Sequence, residues 1–372
     1  LVPSVDLRAT DPSQVFGSEV FGGGVAGDGV FADGDPGTGT LRVGYRAYPD
    51  LVPGDAPPLP AAVAGDATGF LTLGADGRWA AHGDAPDVHA LLCHRAPAPA
   101  APAPPPLWST PDRAAHRSSV ERCLEAITAG EIYQACLSTR LDGRLSASPT
   151  ETFLSLLRTA PARRSALLAG GWGAVLSFSP EEHLVRRGRV VTSSPIKGTV
   201  PADADPASLR ASVKDVAENV MIVDLVQHDL GSVSDVGSVV VTDLLSVRPA
   251  PGVHHLVSTV RAETGVGHDE LVSATFPPAS VTGTPKLRAR ELVAGWEPRS
   301  RGLHSGVLGL ALGDRLETAV AIRTLEAAPD GTVALGVGGG ITADSSPAAE
   351  WEECLHKAAF AWGGGPPPAP MP

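Results

Sequence analysis

Two pairs of acidic residues stand three apart, Asp215 with Glu218 and Glu350 with Glu353, each in a segment with helical periodicity. At that spacing both carboxylates of a pair share one helix face. Lys357 follows Glu353 by four, on the same face. Two such pairs set opposite one another would suit Mg²⁺, a hard cation that takes oxygen ligands and keeps waters a substrate can displace. A solvated helix face carries the same spacing. A second constellation is Ser179-Pro180-Glu181, followed sixteen residues on by Pro195-Ile196-Lys197-Gly198-Thr199. A proline before and a glycine after Lys197 mark a fixed turn. A nucleophilic lysine must be neutral part of the time, through desolvation or a nearby positive charge. A carboxylic acid beside it, such as Glu181, could protonate a departing hydroxyl. An exposed Lys–Glu ion pair is the competing account.

Gly336-Val337-Gly338-Gly339-Gly340-Ile341 permits close backbone approach and offers amide N–H groups to a carboxylate. It lacks the spacing of a dinucleotide fingerprint, and a tight strand-end turn is its plainer reading. In Ala321-Ile322-Arg323-Thr324 an arginine occupies an inward position of an otherwise apolar strand. Burial there demands a partner, either a bound carboxylate held bidentately or a structural ion pair.

The elements that must position these residues are mixed. Helical patterns cover 118–129, stopped by Gly130, then 211–230 and 348–362. Strand patterns cover 190–192, 239–242, 256–260 and 318–324, with weaker ones at 41–45 and 69–73. Strands interrupted by helices in no regular alternation indicate an α+β fold. Residues 94–111 contain a run of alternating Ala and Pro (96–106) that favours extended geometry and reads as a linker or long loop. It separates an N-terminal lobe, 1–93, from a catalytic core, 112–362, and a disordered tail follows at 363–372. The glycine clusters at 22–24 and 37–40 read as turns.

The chain has 372 residues and a formal charge of −12, which argues against nucleic acid as its partner. An acidic protein that binds an acidic metabolite must build a local positive site. No apolar run reaches membrane-span length, and the first residues lack the basic and apolar regions of a secretory signal. Cys93, Cys123, Cys136 and Cys354 show no CxxC spacing, which suits reduced thiols and a cytoplasmic location. Lysine is scarce: Lys197, Lys214, Lys286 and Lys357 are the only four among 29 basic residues. Each therefore invites a check for a role arginine could not fill.

In order along the chain, the blocks EIYQACLSTRL, SPEEHLVRRGRVVTSSPIKGT, ENVMIVDL, GSVVVTDLLSV, VHHLVS, FPPASVTGTPKLRA, EPRSRGLHSGVLG, AIRT, GVGGGITADSSP and EWEECLHKA resemble the chorismate-binding enzymes, from about Gly130 to Ala359. That family includes anthranilate, aminodeoxychorismate, isochorismate and salicylate synthases. The resemblance implies large β-sheets in a two-lobed sandwich with helices packed outside. It implies that Glu218 and Glu353 coordinate Mg²⁺, with Asp215 and Glu350 beside them. Arg323, Lys357 and the amides of Gly339 and Gly340 would hold anionic chorismate, and Thr282 and His255 would line the same pocket. Glu181 would be the general acid for loss of the C4 hydroxyl. The PIKGT form resembles the aminodeoxychorismate synthase pattern, where lysine adds at C2 before ammonia attacks C4; related synthases usually carry alanine there. None of the cysteines lies in a Gly-x-Cys-x-Gly nucleophile turn, so ammonia is expected from a separate glutamine amidotransferase subunit. Pro278-Ala279 replaces the family's double glycine, His304 stands where tyrosine is common, and Gln227-His228 replaces Arg-Asn.

Overall fold

The computed structural model describes residues 7–16, 40–50, 52–67, 69–73, 78–85 and 102–362. The glycine cluster at 22–24, most of that at 37–40, most of the Ala-Pro run and the tail at 363–372 lie outside the described residues.

Two large, mainly antiparallel sheets dominate. The larger, ten-stranded sheet runs in the order β1 (Arg8–Ala9), β3 (Ala62–Ala67), β2 (Leu41–Arg46), β16 (Val307–Leu312), β17 (Arg315–Val320), β10 (Glu182–Arg187), β11 (Val190–Ser194), β14 (Val253–Glu263) and β12 (Ile196–Pro201), and β13 (Val240–Ala250) also pairs with β14. The smaller, seven-stranded sheet runs β15 (Gly283–Thr284), β7 (Gln134–Arg144), β19 (Thr332–Ile341), β18 (Thr324–Ala327), β9 (Gly173–Ser179) and β8 (Arg164–Gly170), and β6 (Leu107–Trp108) adds to β7. A separate hairpin joins β4 (Gly69–Leu73) and β5 (Trp79–Gly83). Among the described residues before 93, β2 lies in register against β16 from Leu41↔Leu312 to Arg46↔Val307 and so belongs to the larger sheet. Residues 94–111 likewise end in a strand whose Trp108 is buried and donates its indole N–H to Ala361 O.

Alternating apolar side chains bury one face of each sheet against the other: Val43, Tyr45, Val63 and Leu308 of the larger pack with Val175 of the smaller. Outside the larger sheet lie α4 (Val213–Gly231) and α5 (His268–Thr275), whose Ile222, Val226 and Leu271 close a second core with Leu184 and Val260. Outside the smaller sheet lie α1 (Arg113–Thr128), α2 (Pro149–Thr159), α6 (Lys286–Ala294) and α7 (Pro347–Ala358). A short α3 (Ala207–Ala211) precedes α4. This is the α+β sandwich expected, with helices outside. The two helices that carry the acidic pairs start at well-formed caps. Ser212 accepts from Asp215 N at α4, and Ser346 accepts from Ala349 N at α7, with Pro347 in the first turn. Among the described residues, no helix is long and apolar enough to cross a membrane.

Glu326 of β18 is an exception to an apolar interior. It is 2% exposed, its Oε2 has no partner, and burial raises its pKa to about 7 against the pull of the Leu303 and His304 amides. An acid whose folded pKa exceeds its unfolded value keeps full stability below the unfolded pKa and loses it as pH climbs to the folded one. Between 4.5 and about 7, at about 1.4 kcal/mol per pH unit, the carboxylate comes to cost about 3 kcal/mol. Glu326→Gln should therefore melt like the parent at pH 4.5 and several degrees higher at pH 8, by calorimetry at both pH values.

Candidate active site

Two of the chain's crossings between the sheets lie at one place. β9 in the smaller sheet leads through Pro180-Glu181 into β10 in the larger, and β17 in the larger leads through residues 321–323 into β18 in the smaller. The crossovers are stitched together: Phe178 N donates to Arg323 O at 3.0 Å, and Val320 N donates to Glu181 O at 3.2 Å. A strand that changes sheets must turn out of the pleat, and Arg323 does so at φ 50°. This corrects the expectation that Arg323 lies inside a continuous strand over 318–324. The apolar run is real, but it belongs to two strands. Glu181 and Arg323 consequently both face the cleft at the sheet junction, an open cavity of about 550 Å³.

Lys197 enters from β12. Pairing of β12 with β14 slips between Ile196 and Thr199, and Gly198 within the slip adopts φ 87°. The left-handed residue turns Lys197 into the cleft, where Nζ donates to Ser280 O at 3.0 Å. Burial pulls the Lys197 pKa down, but Cys136, Glu218, Glu181 and Glu353 together outweigh it and hold the ammonium form. Glu181 is 5% exposed, and burial pushes its pKa up past the opposing pull of the Ser280 hydroxyl, Lys197 and the Ile196 amide. A carboxyl so placed holds its proton to higher pH than a solvated one.

The glycine run lies in β19. β7 pairs with β19 to Ile341, but β18 stops opposite Leu335, so the outer edge of 336–341 has no strand partner. Cys136 N turns away from Gly340 to Thr282 O, Ser138 N turns away from Gly338 to Glu297 Oε1, and Lys357 Nζ takes Gly338 O at 2.7 Å. In an antiparallel ladder, N–H and C=O of one residue point the same way. Gly338 and Gly340 therefore present their amides to the open edge, whereas Gly339, opposite Leu137, points its amide into the β7 ladder. Of the two glycine amides named from the sequence, that of Gly340 faces the open edge and that of Gly339 faces the β7 ladder, while Gly338 also faces the open edge.

Acidic groups flank this edge. A side chain begun at Gly339 would meet Glu350 Oε2 at 3.1 Å and Glu353 Oε1 at 3.3 Å, and one begun at Gly340 would meet Glu218 Oε2 at 3.5 Å and Lys197 Nζ at 3.6 Å. Lys214 Nζ stands 3.8 Å from Glu218 and 3.9 Å from Glu350. Asp215 lines the cleft beside Gly198. Burial raises the pKa of both Glu218 and Glu350 despite these lysines, and Glu350 Oε2 is buried with no partner. Burial works the same way on Glu353, but the 2.6 Å ion pair with Lys357 overturns it and the pKa falls. Among the described residues, no three His, Cys, Asp or Glu side chains close on one point. Mg²⁺ commonly needs only one or two protein carboxylates, completing its shell with water and substrate oxygens. Glu218 and Glu350, the latter with an orphaned oxygen, are donors of the kind such an ion takes, and Glu353 would have to exchange its ion pair with Lys357 for one.

The other expected residues divide. His255 lines the cleft, its Nδ1 2.9 Å from Thr199 Oγ1, and burial first, then Arg323, keep it neutral. Lys357 lines the cleft with its charge committed to Glu353 and Gly338 O. Thr282 does not line it: its hydroxyl donates back to Pro278 O and Ala279 O within a 3₁₀ turn. Among the described residues, the Arg323 side chain has no hydrogen bond or ion pair, and burial lowers its pKa, so it is a cation free to receive an anion. Lys214 was passed over in the sequence, although the scarcity of lysine and its i, i+4 spacing to Glu218 were both visible. Cys136, Arg301 and His304 also line the cleft. A Cβ on Gly336 would fall 2.2 Å from His304 Cγ, so the glycine makes room for the imidazole. Gly336→Ala should displace His304 and destabilise the fold by about 1–3 kcal/mol, read by denaturant melts.

The sequence profile described as chorismate binding enzyme matches residues 70–362. The chain belongs to this family. Anthranilate synthase component 1 of Streptomyces coelicolor is 42% identical over 249 residues, 64% of this chain and 48% of the relative. Aminodeoxychorismate synthase component 1 of Escherichia coli is 40% identical over 243 residues, 63% of this chain and 53% of the relative. The chain thus spans about half the length of these family members. In structure it is similar to anthranilate synthase component I from Streptococcus pneumoniae TIGR4, with TM-score 0.78, 23% identity, and coverage of 89% of this chain and 82% of that one.

Proposed function

We propose that the chain binds chorismate in this cleft and aminates it with ammonia to 4-amino-4-deoxychorismate. The observation that carries the reading is Lys197, turned into the cleft beside a buried Glu181 whose pKa burial raises. The substrate is anionic, and the unpaired Arg323 guanidinium with the open amides of Gly338 and Gly340 offer it donors. The Lys197 amine would add at C2, the ring double bonds would shift, and the C4–O bond would break as Glu181 protonates the departing hydroxyl to water. Ammonia would then bond at C4, the double bonds would return, and the C2–N bond to Lys197 would break. An amine already on C2 keeps ammonia from adding there.

Glu218 and Glu353, with Glu350 and Asp215 beside them, would hold Mg²⁺. Once bound, the ion would polarise the ring carboxylate and neutralise the acidic wall that otherwise repels it. Ammonia would arrive from a separate glutamine amidotransferase subunit. Names of relatives support both readings of the chemistry, since aminodeoxychorismate synthase and anthranilate synthase both occur at about this identity. The test is mass spectrometry of the product from purified protein, chorismate, Mg²⁺ and ammonium, with and without chelator. Metal-dependent aminodeoxychorismate is expected. Anthranilate would assign the second reading, and turnover undiminished by chelator would remove the metal.

A further inference from the structure

Gln134, the first residue of β7, is 0% exposed, and neither its Oε1 nor its Nε2 has a hydrogen-bond partner in the protein. A primary amide buried with both ends unpaired is costly, and natural interiors seldom tolerate one without a use. Its position suggests the use. The point above Gly340 lies 3.5 Å from Glu218 Oε2, 3.6 Å from Lys197 Nζ and 3.9 Å from Gln134 Oε1. The amide therefore stands where the acidic wall, the lysine and the open β19 edge meet. Both lysines of this corner are already engaged: Lys197 by Ser280 O, Lys357 by Glu353 and Gly338 O. Among the described residues, the Gln134 amide has both a free donor and a free acceptor, and the two can exchange places by a flip.

We propose that Gln134 is a substrate-binding residue, its Nε2–H donating to the ring carboxylate while its Oε1 accepts an N–H from Lys197. The inference rests on the proposed function, which puts that carboxylate next to Glu218 and puts C2 within reach of Lys197. In that arrangement one side chain would fix the distance between nucleophile and the carbon beside the carboxylate. Donation to a charged oxygen in a dry corner also gives the buried amide the partner it lacks in the free protein.

The test is calorimetric titration of chorismate, in ammonia-free buffer with Mg²⁺, into the parent, Gln134→Leu and Gln134→Met, with thermal melts of each free protein. Expected are a dissociation constant weakened about tenfold to hundredfold in both variants, and melts equal to or above the parent because an unpaired polar group has gone. Unchanged affinity with raised melts would overturn the proposal and leave the amide as a hydrated interior group. Lowered melts in both variants would overturn it too, by showing that the amide has a partner within the free protein. If the parent itself bound no chorismate, the proposed function would fail first, and the inference with it.

Discussion

Lys197→Ala is expected to stop formation of 4-amino-4-deoxychorismate, with a loss on the order of 10³-fold or more, while chorismate binding changes by only a few-fold. The split follows from where Lys197 stands. Its Nζ reaches Ser280 O rather than a carboxylate at ion-pair distance, so removing it unties no buried salt bridge. Binding rests on other groups, Arg323 and the open β19 edge among them. The covalent step, in contrast, has no second nucleophile at hand. Cys136 is also in the cleft, but its Sγ donates to the same Ser280 carbonyl. Lys197→Arg should fail as fully as alanine, because a guanidinium stays protonated and cannot add to carbon. Product mass spectrometry and calorimetry on the same preparations separate the two effects. Undiminished amine product from Lys197→Ala would leave the lysine as a charge for substrate binding and nothing more.

The charge on Lys197 bears on this expectation. In the free protein the surrounding acids keep it an ammonium, the wrong form for attack. The carboxylates responsible include Glu218 and Glu353, the two proposed to hold the metal. With those committed to a cation, burial is left as the main influence, and burial favours the neutral amine. The acidic wall, so unsuited to an anionic substrate on its own, thus fits a site in which lysine must be charged when empty and neutral when loaded.

Parts of this site were legible in the residue types and spacings alone. The i, i+3 acidic pairs mark real helix faces, because 3.6-residue periodicity survives any tertiary context. The glycine after Lys197 marks a real backbone irregularity, although it is a pairing slip within β12 and not the turn expected, because φ 87° at Gly198 is a local requirement. What stayed hidden depends on nonlocal pairing. An apolar run over 318–324 gives no sign that it changes sheets at Arg323, since both halves are buried and both want β-branched residues. Which glycine amides face out of β19 is fixed by the parity of its pairing with β7, and a one-residue shift would exchange Gly339 for Gly340. Thr282 turns inward because the Pro278-Ala279 segment forms a 3₁₀ turn whose carbonyls its hydroxyl satisfies. Strands β1 to β3 are short, and nothing local ties β2 to β16, whose paired residues lie about 260 to 270 positions further along the chain.

Glu181→Gln tests the other half of the chemistry. The amide preserves size and the acceptor that faces Ile196 N, 3.5 Å from the carboxylate in the parent, but it cannot give up a proton to the departing hydroxyl. Removing a general acid of this kind costs about 10²–10⁴-fold in turnover. The pH profile gives a sharper reading than the rate. The working form of Glu181 is protonated, and burial holds its pKa above the ordinary carboxylate range. Turnover of the parent should therefore fall as pH rises through that raised value, and the fall should be absent from the residual activity of Glu181→Gln. His304, pushed down to about 3 chiefly by burial, cannot supply a limb above the ordinary carboxylate range. A variant that keeps both the parent rate and the parent limb would move the acid to another group, and among the buried carboxyls of this cleft Glu218 would be the one to change next.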